Sequence, residues 1–146
     1  IKTFERGNFE RNDGMDISLC AINKKTREIR WSGANNPLLY THKGALLELT
    51  ADKQPVGKYE NSRSFSTQSI ILGEGESIYM FTDGYYDQFG GERGKKFMYK
   101  QFKDKLKSIS AFSMKGQIEI LSKVFPRLGF REGFRRRLQR TSCFRA

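Results

Sequence analysis

Ser77-Ile78-Tyr79-Met80-Phe81-Thr82-Asp83-Gly84-Tyr85-Tyr86-Asp87-Gln88-Phe89-Gly90-Gly91 is the stretch whose reading decides the fold. Its first five residues form an apolar run that reads as a strand. The strand ends by presenting one carboxylate, Asp83, at its tip, and Gly84 lets the backbone turn sharply there. A second carboxylate, Asp87, follows four residues on. Carboxylates projected from a strand end are suited to a hard divalent cation, which prefers oxygen ligands. An Asp-Gly after a strand is by itself most often a plain turn, so the chemistry rests on the whole run.

Upstream of this run the pattern is that of strands. Asp16–Ile22 has a mostly apolar body, Asn23-Lys24-Lys25-Thr26 reads as a turn, and Arg27–Ser32 alternates and returns as a hairpin partner. Gly33-Ala34-Asn35-Asn36-Pro37 breaks the alternation. Leu38–His42 resumes it, Lys43-Gly44 turns, and Leu46–Leu49 follows. Residues 50–64 read as a polar loop, Phe65–Leu72 as a strand, and Gly73–Glu76 as the turn into the strand that carries Asp83. Downstream of Gly94 the period changes. Phe97, Phe102, Leu106 and Ile109 recur at helical spacing among lysines, and Met114, Ile118, Leu121 and Phe125 predict a second helix that Pro126 ends. Five or six antiparallel strands followed by two helices predict an α+β fold with helices covering a sheet face.

At 146 residues the chain is one domain or a large piece of one. It has no initiator methionine and reads as starting mid-protein. No stretch approaches the roughly 20 apolar residues of a membrane span. Cys20 and Cys143 have neither framework nor metal spacing; Cys20 is expected as a buried thiol, and a reducing cytoplasm fits. The net charge of +11 is concentrated at the C-terminus, where residues 127–146 hold seven arginines against one acid, Glu132. The chain therefore divides into residues 1–126 and an Arg-rich tail, 127–146. With Phe130, Phe134 and Leu138 on one helical face, such a tail could neutralise nucleic-acid or membrane phosphates. It reads instead as a solvated, disordered segment.

Four segments taken together resemble the SpoIIE-like branch of the metal-dependent, PPM-type bacterial serine/threonine protein phosphatases. They are the Thr82–Gly91 run with Lys95-Lys96-Phe97 after it, Asp13-Gly14-Met15-Asp16-Ile17, Gly33–Leu38, and Asp52-Lys53-Gln54-Pro55-Val56-Gly57. Their order and spacing agree, and the resemblance runs from about Phe9 to about Phe125. It implies part of an α/β/β/α sandwich that holds two Mn²⁺ or Mg²⁺ ions at one end. In that family a metal-activated water attacks the phosphorus of a phosphoserine or phosphothreonine, with no residue acting as covalent nucleophile. The resemblance makes Asp83 a metal ligand, Asp87 a ligand of an accessory metal, and Gly84 the backbone's close approach to the site. It implies a phosphorylated regulatory protein as substrate and an upstream sensor module in the intact parent, which could attach that parent to a membrane.

Asp16, at a strand start, is read as structural, and Asn35 and Asn36 as serving a turn before Pro37. His42, the only histidine, is read as a surface residue with no general-base partner apparent in sequence. Trp31 is read as core. Two acidic clusters of the family are missing. The Asp-x-x-Gly-His-Gly type motif that bridges the metals does not occur, and no aspartate follows Asp104 to make the final Asp-Asp pair. One carboxylate, or two, cannot hold a dication tightly, so the chain alone is expected to be inactive. The expected remnant, half a sandwich with open sheet edges, invites self-association. The alternatives are a catalytically dead interaction remnant or a basic-tail binding module. Arg135-Arg136-Arg137 adds one more expectation: codons CGA-CGA-CGT read one base later spell Asp-Asp-Val, so a frame shift after about Phe125 would account for both the basic tail and the absent acids.

Overall fold

The computed structural model describes residues 14–57, 62–83, 89–90, 95–96, 98–124 and 143–145. The chain is α+β, with antiparallel strands first and two helices after them, and it divides into two compact units. Phe97, Phe125, Pro126 and residues 127–142 lie outside the described residues, as do Asp13, Gly84 and Asp87.

The first unit comprises Ile1–Leu38 and Glu48–Leu72. Here β1 (Gly14–Met15) pairs with β6 (Val56–Gly57), and a three-stranded sheet runs in the order β2 (Ile17–Asn23), β3 (Glu28–Ala34), β7 (Gln68–Ile71). The β2–β3 hairpin is in antiparallel register from Ile17↔Ala34 to Asn23↔Glu28. Its turn is built by Asn23, whose Oδ1 accepts the backbone N–H groups of Lys25 at 3.0 Å and Thr26 at 3.3 Å. A short amide side chain thereby replaces backbone acceptors that the turn cannot supply.

Period-two alternation sorts the two faces of this sheet. Ile29 and Trp31 are fully buried on one face, in line with half-buried Ser18, Cys20, Ile22 and Ile70. Trp31 Nε1 donates to Ser18 Oγ at 2.8 Å, which supplies the indole's one donor with a partner. The opposite face carries Leu19 and Ile71, 69% and 71% exposed. Cys20 is only half-buried, but burial still pushes its thiol pKa up.

The second unit comprises Leu39–Leu47 and Gly73–Ala146. Its four-stranded sheet has the order β11 (Cys143–Arg145), β8 (Ser77–Met80), β4 (Leu38–His42), β5 (Ala45–Leu49). Strand β8 is interior to the sheet and Ser77, Ile78 and Tyr79 are buried, which explains its unbroken apolar sequence. Thr41 fastens β4 to β8, its hydroxyl accepting Ser77 N–H at 2.7 Å. Between β4 and β5 both Lys43 and Gly44 have positive φ, 48° and 78°, the handedness that tight hairpins require.

Helices α1 (Tyr99–Ile109) and α2 (Met114–Val124) follow. Phe102, Leu106 and Ile109 of α1 recur at helical spacing and pack with Leu121 of α2 against Leu39, Tyr79 and Phe81. Fully burying side chains of this kind contributes roughly 1.5–3 kcal/mol each. Ser113 caps α2 by accepting Gly116 N–H at 3.2 Å.

Several boundaries differ from the sequence reading for local reasons. Strand β3 extends through Ala34, because Gly33 and Ala34 pair with Ser18 and Ile17 of β2; Asp52 carries the order on into Asn35, donating its N–H to Gly33 O at 3.0 Å and accepting Asn35 N–H at 2.9 Å. The polar loop 50–64 contains β6, and of the Phe65–Leu72 segment only Gln68–Ile71 is strand. Within the Arg-rich tail, Cys143–Arg145 forms β11, in antiparallel register with Tyr79, Ile78 and Ser77.

Candidate functional site

Asp83 stands at the tip of β8, three residues beyond its last strand residue. The chain passes from the buried Phe81 to the exposed Thr82 and Asp83. The carboxylate is therefore carried out of the apolar interior, as a cation ligand must be. Aromatic packing fixes the strand end: the Phe81 ring lies 4.9 Å from that of Phe102, edge to face, and 6.0 Å from that of Tyr99. Such ring pairs contribute about 0.5–1.5 kcal/mol beyond area burial. The other two residues assigned to this site, Gly84 and Asp87, lie outside the described residues.

Three of the four motif segments converge in the first unit. Asn35 Nδ2 donates to Asp16 Oδ1 at 2.7 Å, and the Asn35 backbone, at φ 57°, bonds to Asp52 O. Asp52 Oδ2 accepts both the N–H and the hydroxyl of Ser66, at 2.7 and 2.9 Å. Gln54 closes a reciprocal pair with the backbone of Arg63, donating to its carbonyl at 2.8 Å and accepting its N–H at 2.9 Å. Gly14 is required where it lies, since a β-carbon there would meet the Pro55 ring at 2.5 Å. Gly33 is required as well, because a β-carbon would stand 2.4 Å from the Trp31 ring and 2.6 Å from Asn36 O.

These bonds commit Asp16 and Asp52 to holding the loops together, the structural part expected of Asp16. Asn35 serves the turn before Pro37, also as expected. The role of Asp52 was not anticipated, although its segment was singled out; the Asp52-Lys53-Gln54-Pro55 run carries no signal for a bond to Ser66, fourteen residues away.

His42 has a partner that its sequence neighbours do not reveal. Its Nδ1 lies 3.2 Å from Glu76 Oε1, with the two side chains 44% and 14% exposed. Glu76 also accepts Lys43 N–H at 2.9 Å and Gly73 N–H at 2.8 Å, tying the β4–β5 turn to the turn that opens β8. Burial pushes the Glu76 carboxyl up, but the Gly73 and Lys43 N–H groups and His42 together outweigh it and hold the pKa below its ordinary value.

Among the described residues no three His, Cys, Asp or Glu side chains come together as a metal site. The donor set they offer at the β8 tip is the single carboxylate of Asp83, which does not fit a binuclear centre.

The family model described as stage II sporulation protein E (SpoIIE) matches residues 4–132. Among solved structures, the SiaA-PP2C domain of Pseudomonas aeruginosa superposes with a TM-score of 0.72 at 24% identity, covering 90% of this chain and 51% of that one. The PP2C phosphatase domain of SpoIIE from Bacillus subtilis, with a fragment of its regulatory domain, gives 0.59 at 16% identity and covers 81% of this chain and 34% of that one. The manganese-presoaked SpoIIE phosphatase domain gives 0.54 at 14% identity, with 76% and 48% covered. At these identities the likeness establishes the fold, and the chain spans about half the length of the SiaA domain. No curated protein matches the chain significantly.

Proposed function

Because the chain belongs to the SpoIIE family, we propose that it is the C-terminal portion of a metal-dependent phosphoserine/phosphothreonine protein phosphatase domain. The observation that carries this reading is Asp83, exposed at the tip of a buried central strand, in the run that resembles the family's strand-end motif. In the complete domain, Mn²⁺ or Mg²⁺ would supply a water of lowered pKa and would screen the negative charge of the phosphoester. Asp83 would be one ligand, Asp87 an accessory one, and Gly84 the close backbone approach. This chain's own share is to hold the Asp83 carboxylate at the end of a rigid strand, with Phe81 wedged against α1 behind it.

The chain alone is inactive on this reading, because a lone carboxylate does not hold a hard dication against water. The substrate is a phosphorylated regulatory protein, and an upstream sensor module controls the complete enzyme in the cytoplasm. Open sheet edges let the isolated chain self-associate. The Arg-rich tail from residue 127 is a frame-shifted version of the family's last acidic strand; the coding DNA decides this, since the shifted frame must spell an Asp-Asp pair. The functional test is manganese-dependent hydrolysis of a phosphoserine peptide. Asp83→Asn should abolish activity of the complete domain, and the 146-residue chain by itself should show none.

A further inference from the structure

Helix α1 carries an unbalanced positive face. Lys100, Lys103 and Lys107 follow one another at spacings of three and four, so they form one stripe about 10 Å long at ~1.5 Å per residue. Asp104, the only acid of the helix, stands beside the stripe, four residues from Lys100 and three from Lys107, and Lys105 lies beyond it on the same side. Lys100, Lys105 and Lys107 enter no ion pair among the described residues. The first turn contains Lys100 and no acid. Lys100 there opposes the helix dipole, whereas Lys107 in the last turn suits it.

The stripe is also placed with respect to Asp83. The first turn of α1 packs onto Phe81 through Tyr99 and Phe102, two residues before the carboxylate. Lys103 is held back over that turn, its Nζ 4.7 Å from the centre of the Tyr99 ring. The cations therefore gather on the helix whose N-terminal end buttresses the β8 tip. The apolar face of α1 is consumed by the core through Phe102, Leu106 and Ile109, which leaves nothing to insert into a lipid bilayer. On α2 one acid, Glu119, stands among two lysines, Lys115 and Lys123, whereas on α1 the one acid, Asp104, stands among four.

We propose that the Lys100–Lys103–Lys107 face is a docking surface for an acidic protein segment, the sequence flanking the phosphorylated residue of the substrate. The proposal rests on the phosphatase reading for the identity of the partner. Fixed positive charge at the edge of a site raises the encounter rate with anionic partners and weakens with salt.

The test uses the full chain in metal-free buffer, so that its outcome is separate from any result on hydrolysis. A fluorescein-labelled peptide of Asp and Glu residues around one phosphoserine is titrated by fluorescence anisotropy at low salt. Neutralising the stripe with K100Q/K103Q/K107Q should weaken binding about tenfold, at a few tenths of a kcal/mol per exposed charge pair. The control K115Q/K123Q should leave binding within about twofold. Circular dichroism confirms that both variants are folded. Equal weakening by both variants, no weakening by the triple variant, or no binding of the wild-type chain overturns the proposal. So does retention on phosphatidylserine vesicles without binding to the peptide, which would make the surface a membrane contact.

Discussion

Replacing Glu76 tests how the strand that carries Asp83 is anchored. Its carboxylate accepts two backbone N–H groups at 2.8 and 2.9 Å, from Gly73 and Lys43, thirty residues apart, and has His42 beside it. Hydrogen bonds to a charged group contribute about 1.5–3 kcal/mol each, and partial exposure brings these to the low end. Glu76→Ala leaves both donors without the carboxylate and should cost about 3 kcal/mol by that measure. Glu76→Gln keeps one oxygen acceptor and turns an NH₂ donor towards the other N–H, so about 2 kcal/mol is expected, or roughly 7 °C in Tm for a domain of this size. The assay is urea unfolding followed by circular dichroism across pH.

The pH dependence has a definite sign. The folded-state pKa of Glu76 lies below its ordinary value of 4.5. The contribution is therefore fully present above that value and is lost as pH falls through the lowered folded pKa. The gap between wild type and Glu76→Gln should be constant at neutral pH and close in acid. Variants within about 0.5 kcal/mol of wild type, the range of ordinary surface substitutions, would refute the reasoning. A gap that persists undiminished below the folded pKa would refute it equally.

Gly33→Ala should destabilise the first unit by about 3 kcal/mol in the same melts, because the new methyl group collides with the buried Trp31 ring and with a backbone carbonyl. Leu19→Lys with Ile71→Lys should leave stability within about 0.5 kcal/mol while lowering concentration-dependent association in sedimentation velocity, since both side chains lie on the open face of the β2–β3–β7 sheet. Deleting residues 143–146 removes β11 and bares the edge of β8, and light scattering should show more aggregation.

How much was legible in the sequence followed from whether the controlling interaction was local. The β2–β3 hairpin was readable because Asn23 makes its turn with the next three residues and the alternation from Ile29 to Trp31 is set by burial on one face. Helices α1 and α2 were readable because Phe102, Leu106 and Ile109 recur at the helical period. The bridge from Ala34 to Asp52 was not, because the partner lies eighteen residues away in the chain. Nor does the sequence announce the contact of His42 with Glu76, 3.2 Å apart in space and thirty-four residues apart in the chain. At the candidate site, the emergence of Asp83 from a buried strand was legible in the switch from apolar run to Thr-Asp-Gly. The placement of Gly84 and Asp87 falls outside the described residues.

The most direct measurement is manganese-dependent release of phosphate from a phosphoserine peptide by the complete domain, with calorimetric Mn²⁺ binding read in parallel, for wild type and Asp83→Asn. Loss of activity by roughly a hundredfold or more, together with weakened Mn²⁺ binding in a variant that melts like wild type, is the expected result. Full activity and unchanged metal affinity in Asp83→Asn would contradict the assignment of this strand tip to the catalytic centre.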